Sequence, residues 1–294
     1  MDPSTENDRT IGFFIGALVV TFAAPLLFLS ASGSRAPAPA PVVVVERAVD
    51  PGVRAPAPAP IPEGPLGDAI RRGKLIVTRT YETLPEHVGN GLHCTSCHLE
   101  EGTRAGAASW VGVPGMFPEY RSRSGRVDTL ERRVNDCFER SMNGTALDPT
   151  GEDMAAVVAY MGFLSRGVPA GRTPPDRGFR RISSPPTPDR AHGAQLYAQK
   201  CASCHGPDGA GVSTGGSYQF PPLWGPRSYT NGAGLARLHT AASFVRWNMP
   251  LGQGGTLTDQ ESYDLADYFI HQDRPDFARR SRDWPRGGRP DDAR

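Results

Sequence analysis

Apolar residues recur with a helical period in two separated parts of the chain, and the two parts follow one plan. Val157, Val158, Tyr160, Met161 and Leu164 line one face of a helix, as do Tyr263, Leu265, Ala266, Phe269 and Ile270 further on. Leu130, Val134 and Phe138 mark a middle helix in the first part. Thr258 with Glu261 predicts a capping box for the last helix, and Asp128 with Glu131 predicts one for the middle helix. Long Gly/Pro-rich loops separate these stretches, and no alternating strand pattern of comparable length appears. The pattern predicts an all-α protein of two tandem modules.

The same reading sets the boundaries. A short leader, residues 1–10, precedes residues 11–31, an apolar stretch without a charge. About 20 such residues cross a bilayer, so this stretch reads as a transmembrane anchor, with a cleaved signal segment as the alternative. Residues 32–63 are a Pro/Ala-rich linker with the character of an extended polyproline spacer. The first module spans residues 64–167, a second linker 168–188 and the second module 189–272. Residues 273–294 read as a disordered tail.

At 294 residues the chain has room for two domains with cores of their own, and a formal net charge of +1 gives no reason to expect a nucleic-acid partner. Cysteine usage changes the picture. Four of the five cysteines form two Cys-x-x-Cys-His boxes, Cys94/Cys97/His98 and Cys201/Cys204/His205. Cysteines at i and i+3 project from nearly one face of a helical turn, so both sulfurs reach the vinyl groups of one haem while the next histidine binds its iron. A zinc site or a redox dithiol does not require that histidine. The boxes therefore predict two covalently bound haem c groups with His98 and His205 as proximal ligands, in two cytochrome c-like domains. Tyr160 and Tyr268 lie 62 and 63 residues after these histidines, so the repeat extends beyond the boxes. Haem attachment takes place outside the cytoplasm. The expected location is the periplasmic side, held to the inner membrane by the N-terminal helix, or soluble in the periplasm if that helix is cleaved.

The group opposite each histidine sets potential and reactivity. In the second module Met249, 44 residues after His205, is the methionine candidate. In the first, Met142 stands 44 residues after His98, but Cys137 lies five residues before it, and the choice between them depends on where the helix ends. Arg133, Cys137 and Ser141 fall on one line of that helix at i, i+4 and i+8, preceded by Arg121, Arg123 and Arg126. This pattern fits either an anion site built around a sulfur or a solvated charged face.

Three stretches carry a resemblance: Leu92–Thr103 (LHCTSCHLEEGT), Val111–Arg123 (VGVPGMFPEYRSR) and Arg133–Gly144 (RVNDCFERSMNG). Together with both haem boxes and Met249–Gly255 (MPLGQGG), they resemble the thiosulfate dehydrogenase family of dihaem cytochromes c. The resemblance implies that Cys137 is the sixth ligand of the first haem and that Met142 is not a ligand. It also implies that Arg123, Arg133 and Ser141 contact substrate. The implied reaction joins two thiosulfates into tetrathionate, reversibly in some members, and passes two electrons through both haems to a cytochrome or other redox acceptor. One departure is Asn248, where some members carry a lysine beside the methionine. The competing expectation is a membrane-tethered dihaem electron carrier with no small-molecule substrate.

Overall fold

The computed structural model describes residues 56–175 and 177–293. The expected leader, the anchor at residues 11–31 and most of the Pro/Ala linker lie outside the described residues. Among the described residues no helix is long and apolar enough to cross a membrane.

The first half opens with α1 (Pro65–Thr78) and the short α2 (Thr80–Thr83), followed by a 3-10 turn over Cys94–Ser96 and the single turn α3 (Leu99–Gly102). A hairpin of β1 (Glu119–Arg121) and β2 (Arg126–Asp128) leads into α4 (Leu130–Arg140), and α5 (Glu152–Leu164) closes the half. The second half runs α6 (Arg190–Lys200), α7 (Ala202–His205), β3 (Val212–Thr214), β4 (Ser217–Phe220), α8 (Leu238–Asn248) and α9 (Asp259–Ile270). In each half the first and last long helices cross, α1 on α5 and α6 on α9, and α8 also packs on α9.

The two crossings share one device. Gly73 of α1 faces the backbone of α5, where a Cβ would sit 2.0 Å from the Ala156 carbonyl oxygen. Gly193 of α6 faces α9 in the same way, 2.0 Å from the Asp264 carbonyl oxygen. The absence of a side chain lets each helix pair approach to backbone contact. The Cβ atoms of Tyr160 and Tyr268, the pair that the sequence places in register, lie beside these glycines. Each crossing carries its own core: Ile70, Ile76, Phe138, Met154 and Tyr160 in the first half, Leu196, Tyr197, Val245, Tyr263 and Leu265 in the second.

The structure departs from the sequence expectations at three places. Two short antiparallel hairpins, β1–β2 and β3–β4, interrupt the expected all-α architecture. The cap of α4 is Thr129, whose hydroxyl accepts from the Arg132 N–H, because β2 runs on through Asp128. The Asp128 carboxylate is carried inward to accept from Ser124 at 2.8 Å and to face Arg126 at 3.4 Å. The capping box at Thr258 and Glu261 is present as expected.

The third departure is the segment after residue 272, which packs as a strap. Gly225 donates to the Asp273 carbonyl and Asn231 to the Pro275 carbonyl, so the strap leaves along the second half. It then crosses the β1–β2 turn of the first half, where the Trp284 N–H donates to the Arg123 carbonyl at 2.9 Å. It returns to the second half at α8, where Asp292 accepts from the His239 N–H at 2.9 Å. Helix α8 has no side-chain cap of its own, and this carboxylate takes that place. Charge pairing across the chain orders a segment whose composition is that of a solvated tail.

Candidate functional site

Helix α4 builds one wall of the site. Its Thr129 cap and its buried Leu130 and Phe138 fix the rotation of the helix, so that Arg133, Cys137 and Ser141 line a cavity of about 1120 Å³. The Arg133 guanidinium donates to the Cys137 sulfur at 2.9 Å. Burial alone pushes the Cys137 thiol up. The Arg133 charge, with the nearby His98 and the Arg133 hydrogen bond, overrides it and brings the thiol down to about 6. Arg133 moves the opposite way, raised chiefly by the facing sulfur.

The first haem box lines the same cavity. The Cys94 backbone N–H donates to the Thr80 hydroxyl at 3.0 Å, and Cys94, Cys97 and His98 all border the space that Cys137 borders. Burial pushes the Cys94 and Cys97 thiols up to about 12. Three thiols thus share one cavity, and Cys137 alone of them is shifted toward thiolate. His98 Nδ1 donates to the Ala108 carbonyl at 2.8 Å, and the Trp110 ring lies against the imidazole with centroids 4.8 Å apart. Fixing Nδ1 in this way leaves Nε2 to face a metal. His98 and Cys137 are close enough to interact across the cavity. Apolar walls, two neutral thiols, an oriented imidazole and an opposing sulfur fit a haem c. Met142 also borders the cavity but packs among the core residues of the first half.

The second box repeats the arrangement. His205, at the end of α7, donates from Nδ1 to the Pro221 carbonyl at 2.8 Å, as His98 does to Ala108. Met249 caps the C-terminus of α8 and packs with Cys201 against the second core. Tyr197, Trp224 and Tyr268 form a ring cluster behind them, with centroids 4.8–5.7 Å apart. Cys201, Cys204, His205 and Met249 do not line the large cavity of the first half.

Charge on the cavity wall is one-sided. Arg121, Arg123, Arg133, Arg177, Arg181 and Arg237 line it, against one described carboxylate, Glu119. Glu119 is itself paired with Arg177. Burial, followed by the nearby Arg133, brings Arg121 down to about 10, and burial followed by Arg140 lowers Arg123. Arg126 stands outside the cavity, half-exposed and paired with Asp128. Sequence periodicity brought Arg133, Cys137 and Ser141 together. It missed Arg177 and Arg181 of the linker, Arg237 before α8 and Trp284 of the strap, which come from distant parts of the chain with no shared spacing.

Two such halves, each with an oriented histidine beside paired cysteines, define a protein of tandem cytochrome c domains, the class that binds haem c. The family model "SoxA/TsdA, cytochrome c domain" matches residues 85–170, and "Cytochrome C oxidase, cbb3-type, subunit III" matches residues 188–269. The chain is 47% identical to thiosulfate dehydrogenase of Psychrobacter arcticus, over 80% of this chain and 72% of that one. It is 46% identical to thiosulfate dehydrogenase of Allochromatium vinosum, over 74% and 82%. The solved thiosulfate dehydrogenase (TsdBA) from Marichromatium purpuratum superposes with a TM-score of 0.73 at 40% identity. That match covers 76% of this chain, which spans about half, 49%, of the solved one. The chain belongs to the thiosulfate dehydrogenase family and is an enzyme, not a bare electron carrier.

Proposed function

We propose that this chain joins two thiosulfates into tetrathionate at Cys137. The outer sulfurs of the two dianions form one S–S bond, and two electrons leave to a cytochrome or other redox acceptor. The single observation that carries the reading is the Arg133–Cys137 contact of 2.9 Å inside a cavity walled by arginines.

Two dianions repel at contact distance, and guanidinium groups offset that repulsion while binding the sulfonate oxygens in a planar fork. Arg133 holds the Cys137 sulfur in its thiolate form, ready to form an S–S bond with the outer sulfur of one thiosulfate as two electrons leave; the outer sulfur of the second thiosulfate then displaces the Cys137 thiolate and releases tetrathionate. Ser141, one turn on, presents a hydroxyl to the same space, and Arg123 closes it from the β1–β2 turn. Cys94, Cys97, His98 and Cys137 would hold one haem c, and Cys201, Cys204, His205 and Met249 a second, and each haem would supply a one-electron acceptor. The family resemblance favours Cys137 over Met142 as ligand, and Cys137 lines the cavity that His98 lines while Met142 packs into the core. The reaction is reversible in principle because bond making and electron release are a single couple. The enzyme works on the periplasmic side, tethered by residues 11–31.

The test is thiosulfate-dependent reduction of a small oxidant by the haem-loaded protein, with tetrathionate quantified, beside Cys137→Gly. Turnover is expected in the parent and lost in the variant with both haems still attached. Retained turnover in the variant would refute the role of Cys137.

A further inference from the structure

We propose that Asp283, in the C-terminal strap, is a positioning residue for substrate: it sets the Arg123 guanidinium in the cavity wall relative to α4. The inference rests on the reading of Arg123 as a thiosulfate-binding residue.

Asp283 is buried, its side chain 4% exposed, and it joins two guanidinium groups. Arg140, the last residue of α4, takes both carboxylate oxygens as a fork, at 2.9 Å and 2.7 Å. Arg123 donates from Nε to one of those oxygens at 2.9 Å. Such fork geometry fixes direction as well as distance. The helix that carries Arg133, Cys137 and Ser141 is thereby tied through Arg140 and Asp283 to the arginine on the facing turn.

The side of approach separates positioning from obstruction. Arg123 and Trp284 line the cavity, whereas Asp283 and Arg140 do not. The carboxylate therefore reaches Arg123 from behind and leaves its cavity face to an anion. The rest of the Arg123 side chain is held just as closely. One terminal nitrogen donates to the Gly232 carbonyl at 2.7 Å, and the guanidinium carbon stands 5.0 Å from the centre of the Trp284 ring. Phe277 of the strap supports Arg140 in the same manner at 4.2 Å. Without Asp283, two buried like charges would face each other, and Arg123 would move away from Arg140 and out of register with Cys137.

A misplaced ground-state contact weakens substrate binding more than it slows the step at sulfur, so the effect falls on KM. The experiment compares the haem-loaded full chain with Asp283→Asn, Arg123→Gln and the double variant. For Asp283→Asn the expected result is a rise in thiosulfate KM of about tenfold, with kcat little changed and both haem spectra unaltered. The double variant is expected to match Arg123→Gln alone, because Asp283 acts through that arginine. Asp283→Glu, which keeps the charge, is expected to recover most of the affinity. If Arg123→Gln raises KM and Asp283→Asn does not, or if the two effects simply add, positioning by Asp283 is overturned while the substrate role of Arg123 stands. If Arg123→Gln leaves KM unchanged, the underlying reading of Arg123 fails instead. Should Asp283→Asn not accumulate with haem, Arg140→Lys breaks the same fork from the other side, and the same comparisons decide.

Discussion

Arg133 and Cys137 sit one helical turn apart on α4, and the guanidinium of the first donates to the sulfur of the second at 2.9 Å. Because both belong to one helix, the contact depends on backbone hydrogen bonds rather than on docking of separate elements. A hydrogen bond to a charged group is worth about 1.5–3 kcal/mol. Arg133→Gln is therefore expected to lower kcat/KM for thiosulfate by about thirtyfold, and Arg133→Lys, which keeps the charge, by less. Steady-state rates with a small oxidant check this, and an Arg133→Gln enzyme with parental kcat/KM would remove Arg133 from the site.

The paired glycines Gly73 and Gly193 make the helix crossings sensitive to a single methyl group. Gly73→Ala and Gly193→Ala each drive a Cβ to 2.0 Å from a carbonyl oxygen of the partner helix. Overpacking of this kind costs about 1–3 kcal/mol, or roughly 2–4 °C per kcal/mol for a chain of this size. The control is Gly162→Ala within α5, where a Cβ meets nothing within 4 Å and helix propensity favours alanine. Thermal melting of the three haem-loaded variants should show the first two lowered and the control unchanged or raised.

His93 gives the contact between the halves a pH dependence. The Tyr81 N–H donates to its Nδ1 at 3.4 Å, and its Nε2 donates to the Ser217 hydroxyl at 2.9 Å, so the ring bridges the halves in its neutral form. Burial lowers its pKa below 6.5, Glu82 opposes the shift and Arg79 adds to it. The unfolded chain takes up a proton at 6.5, so the stabilisation is present above that pH and is lost as pH falls through the lowered value. The melting temperature should fall by about 2–4 °C over that range if about 1 kcal/mol is involved. His93→Gln should flatten this part of the profile, and an unchanged profile in the variant would assign the acid sensitivity elsewhere.

The long helices were legible in the sequence because their stripes are local. Tyr160 and Tyr268 marked the repeat, Thr258 and Glu261 marked a cap, and the line Arg133, Cys137, Ser141 placed three cavity residues on one face. What escaped depended on distance along the chain or on shortness. Strands of three or four residues, such as Glu119–Arg121, are too short to establish an alternation. Asp128 looked like a cap because its spacing from Glu131 was right, and the residue after it took the role once β2 had turned its carboxylate inward. Arg237 and Trp284 reach the cavity only through tertiary packing, which no local pattern records.

The strap begins on the second half, is pinned to the first at Arg123 and Arg140, and ends on the second again at His239. The halves can part only when the strap lets go of one of them, by releasing Asp283 from Arg123 and Arg140 or Asp292 from His239, so the two do not behave as beads on a string. Their denaturation is therefore expected to be a joint event, in which the calorimetric and van't Hoff enthalpies would refer to the same cooperative unit.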